Sequence, residues 1–115
     1  HLAAVEDVWF QMRLLGHDLP EPWASVDWKN DPDWDFRTAV DDDPAELIAL
    51  YHTACERSRA AVARVGDLDT TTVRPNRAKR HFDLRWVLIH MIEETARHNG
   101  HADLLRESVD GSVGD

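Results

Sequence analysis

The stretch LRWVLIHMIEETARHNGHADLLRE, residues 84–107, decides the fold. It reads as a helix that Asp83 can cap and that runs through about Ser108, ending before Asp110-Gly111. At about 100° per residue, His90, Glu94, His98 and His101 fall within an arc of roughly 80°. Val87, Met91 and Leu105 project in nearly the same direction, so imidazoles and a carboxylate are embedded in an apolar stripe. Burying a carboxylate among apolar groups is costly unless it is paired or ligates a metal. Glu94 and His98 are four residues apart, so their side chains stand over one another and both can reach one cation. Helix bundles build metal sites in this way, from inward-facing carboxylates and imidazoles.

One helix supplies two such ligands, so a third must come from elsewhere. The segment HLAAVEDVWFQMRLLG, residues 1–16, also reads as a helix, with Gly16 as its terminator. His1, Val5, Val8, Met12 and Leu15 share one face of it, which points the His1 ring inward. His1 is therefore the expected third ligand. His17 and His81 fall in connections, and His52 lies off the apolar stripe of its helix and is expected to be exposed. His90 is expected to be a core histidine bonded to a backbone carbonyl. His101 has three readings: a fourth ligand, a group orienting Glu94 or a substrate, or a surface residue. Histidines on a helix are also common as plain solvated side chains, and that reading competes with the metal one.

Between these helices lies a third. Asp43 can cap it, Pro44 suits its first position and Glu46 follows three residues after the cap. Leu47, Tyr51, Ala54, Ser58, Ala61 and Val65 run down one face, and Gly66 ends it. Cys55 sits beside that face, and a buried structural thiol is the expectation there rather than a nucleophile. Residues 17–42 hold Pro20, Pro22, Pro32 and many aspartates, so no long helix fits. The same residues hold Trp23, Trp28, Trp34 and Phe36, whereas disordered linkers are poor in aromatics. An ordered loop packing over the bundle as a lid is expected, and a wall of a ligand pocket is the alternative. Residues 67–82 form a polar, basic connection without a clear period. No strand-like alternation appears, so the class is all-α. Three helices are one short of a standard bundle, which implies an upstream helix outside this sequence or a core completed by a partner chain.

The 115 residues fit one domain, residues 1–115, long enough for a real core, and the apolar fraction of 43% excludes wholesale disorder. The formal charge of −9 repels phosphate backbones, so nucleic acid is a poor partner. The basic stretch Arg74, Arg77, Lys79, Arg80 and His81 reads as a solvated connection, with attraction of an anionic substrate as the minority reading. No apolar run is long enough for a membrane helix. A single cysteine allows no intrachain disulfide, which fits a reducing cytoplasm.

Segments 1–10 and 84–107, together with EPWASVDW at 21–28, resemble the DinB-like superfamily, also called YfiT-like metal-dependent hydrolases. The resemblance is to its actinobacterial branch, related to mycothiol-dependent enzymes. The family's helix-start histidine is matched by His1 in HLAAVE. Its later ligand, three intervening residues and histidine are matched by Glu94 and His98, followed by Asn99-Gly100. Many relatives have histidine where Glu94 stands; glutamate is similar to the mycothiol-dependent maleylpyruvate isomerase type. Many relatives have glutamine where His101 stands, which leaves its role open. The resemblance implies a four-helix bundle of up-down-down-up order, about one helix longer at the N-terminus, and often a homodimer.

Two imidazoles and a carboxylate leave a metal with open positions, which suits catalysis; zinc is the first choice, with nickel and iron(II) as alternatives. The resemblance implies a thiol-dependent S-transferase or isomerase, in which a thiolate of mycothiol or a similar small thiol attacks an electrophilic substrate. His101 would then shuttle a proton or hold the cofactor. Metal-assisted hydrolysis and a non-catalytic metal- or ligand-binding bundle are the alternatives.

Overall fold

The structure is a computed structural model and describes residues 1–114. Helix α1 (Leu2–Glu6) passes without a break into a π-helical stretch, Asp7–Leu14. A 3-10 turn at Trp23–Ser25 and a short helix α2 (Trp34–Thr38) interrupt the loop that follows. Two long helices, α3 (Pro44–Val65) and α4 (Leu84–Asp110), complete the fold. Among the described residues there is no strand, only an isolated bridge between Thr71 and Asp83, so the class is all-α.

The local chemistry of the long helices accounts for their limits. The Asp43 carboxylate accepts from the Ala45 amide at 2.7 Å, satisfying one of the orphan donors that begin α3. Gly66, at φ +71°, ends that helix. Asp83 caps α4 by accepting from the Trp86 amide at 2.7 Å. The helix extends two residues past its expected end at Ser108. Gly111 rather than Asp110 takes the left-handed conformation, and its amide reaches the Glu107 carbonyl.

The first helix buries a different face from the predicted one. Its most buried residues are Ala3, Ala4, Asp7, Phe10 and Leu14, while the predicted face of Val5, Val8, Met12 and Leu15 is only partly buried. The difference is already present in α1, at Ala3 and Ala4, and the charged Asp7 in the middle of the buried face hides it from a hydrophobic reading. The π-helical bonds run i to i+5, as from the Leu15 amide to the Phe10 carbonyl at 3.2 Å. Phe10 and Leu14 join Ala61, Phe82, Leu84, Val87 and Met91 in one core cluster. A second cluster gathers Ala3, Ala4, Trp23 and Ala54, with Trp28 and Trp34 packed on it. The tryptophan-rich loop is ordered over the bundle, as its aromatics imply. The stripe of α4 is shorter than expected: Val87 and Met91 are buried, but Leu105 is 67% exposed. Past His98 every described residue of α4 is exposed, because no other described element packs there.

The Asp7 carboxylate joins the two clusters. It is fully buried and accepts from Arg57 Nε at 2.9 Å, Arg57 Nη2 at 2.7 Å and Trp23 Nε1 at 2.9 Å. The bidentate guanidinium bond holds the Arg57 pKa above its ordinary value. Removing one partner of such a pair leaves an uncompensated buried charge. Arg57→Ala is expected to lower the unfolding free energy by about 3 kcal/mol, read as a lower urea midpoint with an unchanged slope. An unchanged midpoint would remove Asp7–Arg57 as the tie between the clusters.

Candidate functional site

Four segments meet around one cavity of about 690 Å³: the first helix, the middle of α4, the loop carrying α2 and, through Arg77, the connection between α3 and α4. His1 and Glu94 both line it, with Trp9, Trp28, Asp35 and Phe36. Val5, Val8 and Met12 line it too, so the side of the first helix that carries His1 borders this space, with Val5 also touching the core.

His1 is held from two directions. Its Nδ1 lies 2.7 Å from Oδ2 of Asp35, whose side chain is 6% exposed. Its ring stacks on Phe36 with centroids 4.6 Å apart. The rings of His1 and His98 are 4.7 Å apart, between centroids. On α4, Glu94 stands between two histidines one turn away on either side. Its Oε1 is 3.6 Å from His90 Nε2 and its Oε2 is 3.6 Å from His98 Nε2. Arg97, three residues on, pairs with the same Oε2.

The three residues expected as ligands are therefore neighbours, contributed by segments more than ninety positions apart; His1 and Glu94 line the cavity, and His98 lies beside both. Among the described residues, however, no three histidine, cysteine, aspartate or glutamate side chains are already drawn together as a ligand set. The chemistry of the donors nevertheless fits a cation. His98 Nε2 is buried and has no hydrogen-bond partner, and an orphaned buried polar atom costs about 1–3 kcal/mol. The Asp35 bond to His1 Nδ1 leaves Nε2 of that ring available. Histidines that bind metals commonly give their other ring nitrogen to a carboxylate in this manner.

The remaining histidines are placed as follows. His101 is exposed and sits edge-on to His98, with centroids 5.5 Å apart. His90 is not bonded to a backbone carbonyl, contrary to expectation. It stacks on Trp86 at 4.8 Å, meets the edge of Trp9 at 4.8 Å and faces Glu94, because the α4 stripe turns it toward aromatic rings. His52 and His17 are exposed. His81 is exposed and its Nδ1 is 2.6 Å from the Thr72 carbonyl.

Asp35 and Phe36 escaped sequence reasoning. Asp35 is one of many aspartates in its loop, and only its position between Trp34 and Phe36 marks it as different from its acidic neighbours. The loop also proves to be a wall of the cavity, through Trp28, Asp35 and Phe36, and not merely a lid.

The model of the mycothiol-S-transferase family matches residues 1–111, so the chain belongs to this family, which is part of the DinB-like superfamily. No curated protein and no solved structure gives a match to it.

Cys55 lies away from this site. It is partly buried and lines a separate groove between α3 and α4 with Glu6, Arg59 and Met91. Burial pushes its thiol pKa up, with the neighbouring Glu6 charge in the same direction, and raises the Tyr51 hydroxyl beside it to about 12. A raised thiol pKa means less thiolate at neutral pH, and thiolate is the nucleophile. Alkylation of Cys55 by iodoacetamide at pH 7.5 is expected to run slower than that of free cysteine and to accelerate only well into the alkaline range. Faster labelling than free cysteine, followed by mass spectrometry, would contradict this.

Proposed function

We propose that the protein is a divalent-metal-dependent S-transferase that joins the thiol of mycothiol to an electrophilic substrate, with His1, Glu94 and His98 as the metal ligands. The observation that carries the metal assignment is the buried, partnerless Nε2 of His98 beside Glu94 and the His1 ring. Family membership supports the thiol chemistry. Zinc suits two imidazoles and one carboxylate, and nickel or iron(II) suits the same donors. A metal held there would supply Lewis acidity that lowers the pKa of a thiol at neutral pH.

The chain's own residues perform the rest. Asp35 fixes the tautomer and orientation of His1, because a carboxylate on Nδ1 keeps the proton there and the lone pair on Nε2. Arg97 holds the Glu94 carboxylate in place. Trp9, Trp28 and Phe36 give the cavity apolar walls against which the body of a substrate can pack. His101, exposed beside His98, takes the thiol proton as the C–S bond forms, while the substrate's leaving group departs with the electron pair of the bond that breaks and receives that proton. The sulfur comes from the cofactor, so Cys55 has no part in the reaction.

Purified protein is expected to carry close to one divalent metal per chain by elemental analysis and to consume mycothiol in the presence of an electrophile. His98→Ala is expected to lose both. Asp35→Asn is expected to weaken metal binding by roughly 10–100-fold while the fold persists. Full metal content in His98→Ala would overturn the ligand assignment. Turnover without thiol would point to hydrolysis instead.

A further inference from the structure

One end of the cavity carries positive charge that the S-transfer reading does not use. Arg13 and Arg77 line the same space as His1 and Glu94. Both also line an adjoining recess of about 560 Å³, together with Arg80 and Asn76, and the two spaces share Val8 and Trp9. Arg37, Arg57, Arg74, Arg85, Arg97 and Arg106 each have a carboxylate partner. Among the described residues Arg13, Arg77 and Arg80 have none; Arg59 and Arg64 have none either, but they lie in other grooves. In a chain of net charge −9, three unpaired guanidiniums gathered around one cavity and its adjoining recess run against the overall balance.

Two of the three guanidiniums are held in place. The Arg13 guanidinium donates to the Pro75 carbonyl, which anchors it to the same connection that carries Arg77. Arg80 lies over the Phe82 ring, 5.4 Å from its centroid. Burial, and then the charge of Arg77, push the Arg13 pKa below its ordinary value, so the two cations are close enough to repel. The carboxylates that line the cavity do not relieve this charge. Asp35 is engaged by His1 and Glu94 by Arg97, while Asp33 sits on the loop wall without an ion pair to any of the three arginines.

We propose that Arg13, Arg77 and Arg80 receive an anionic group, a carboxylate above all, carried by the electrophilic co-substrate whose reacting carbon lies toward His1. Guanidinium forks match carboxylates bidentately, and Trp9 and Trp28, which line the same cavity, suit a flat apolar body. The basic stretch at 74–81 is thus a recognition element and not only a solvated connection. The assignment of the anion to an electrophile rests on the S-transfer reading; the anion site itself does not.

Benzoate and its neutral counterpart benzamide separate the two, with binding followed by calorimetry on the whole chain. The wild-type protein is expected to bind benzoate more tightly than benzamide. Arg77 is exposed, so its replacement spares the core. Arg77→Gln is expected to raise the Kd for benzoate about tenfold relative to that for benzamide, and Arg77→Lys to restore part of the loss. No preference for benzoate, or an equal effect of Arg77→Gln on both probes, would overturn the anion site. In turnover with mycothiol, Arg77→Gln is expected to raise the KM for a carboxylate-bearing electrophile about tenfold relative to its amide. A rise confined to the KM for mycothiol would move the anion to the thiol and overturn the assignment to the electrophile. Loss of benzoate binding in Arg77→Gln, in a protein that never consumes mycothiol, would sustain the anion site and count against S-transfer.

Discussion

A single buried carboxylate organises this molecule. Asp7 has no exposure, and its bonds come from α3, through Arg57, and from the tryptophan-rich loop, through Trp23. An unpaired carboxylate at that depth would be prohibitively costly. The first helix, α3 and the loop are therefore constrained to meet where both partners reach it. The apolar clusters supply most of the driving force, at roughly 1.5–3 kcal/mol for each large side chain fully buried, but burial is not directional. The Asp7 bonds are directional, and they set where the first helix lies against the loop.

The position of His1 follows from that constraint. It sits six residues before Asp7 on the same continuous helix, and Asp35 sits on the loop that Trp23 pins. Fixing one end of each segment brings the His1 ring and the Asp35 carboxylate to 2.7 Å. The other half of the site is independent of this tie. Glu94, Arg97 and His98 are set by helical spacing on α4 alone, and that spacing would survive in any packing. The site joins one half fixed by tertiary contacts to one fixed by helical repeat. A π-helical stretch, Asp7–Leu14, follows α1, and such stretches recur near functional sites. In it Phe10 and Leu14 face the core while Val8 and Met12 lie along the cavity.

These two halves differ in how far the sequence reveals them. Asp43-Pro44 and Gly66 mark α3 to the residue, because caps act within a few positions of themselves. Glu94 and His98 can be paired on paper for the same reason. The burial pattern of the first helix cannot, since its buried face carries two alanines and the charged Asp7, whose Arg57 and Trp23 partners lie far along the chain, while the more apolar face of Val5, Val8 and Met12 borders the cavity. Leu105 was misplaced because periodicity describes a face without saying whether anything covers it. Asp7, Asp35 and the arginine cluster depend on contacts between segments 16 to 64 positions apart. An aspartate among many, or an arginine in a basic connection, carries no mark of the partner it will meet.

The most direct test is a crystal structure of the protein grown with zinc. Zinc is expected about 2.0–2.2 Å from His98 Nε2, a Glu94 carboxylate oxygen and Nε2 of His1, with Asp35 still on Nδ1 of that ring. Zinc bound elsewhere, or His98 Nε2 left facing no ion under saturating metal, would contradict the shared site from which the chemistry was built.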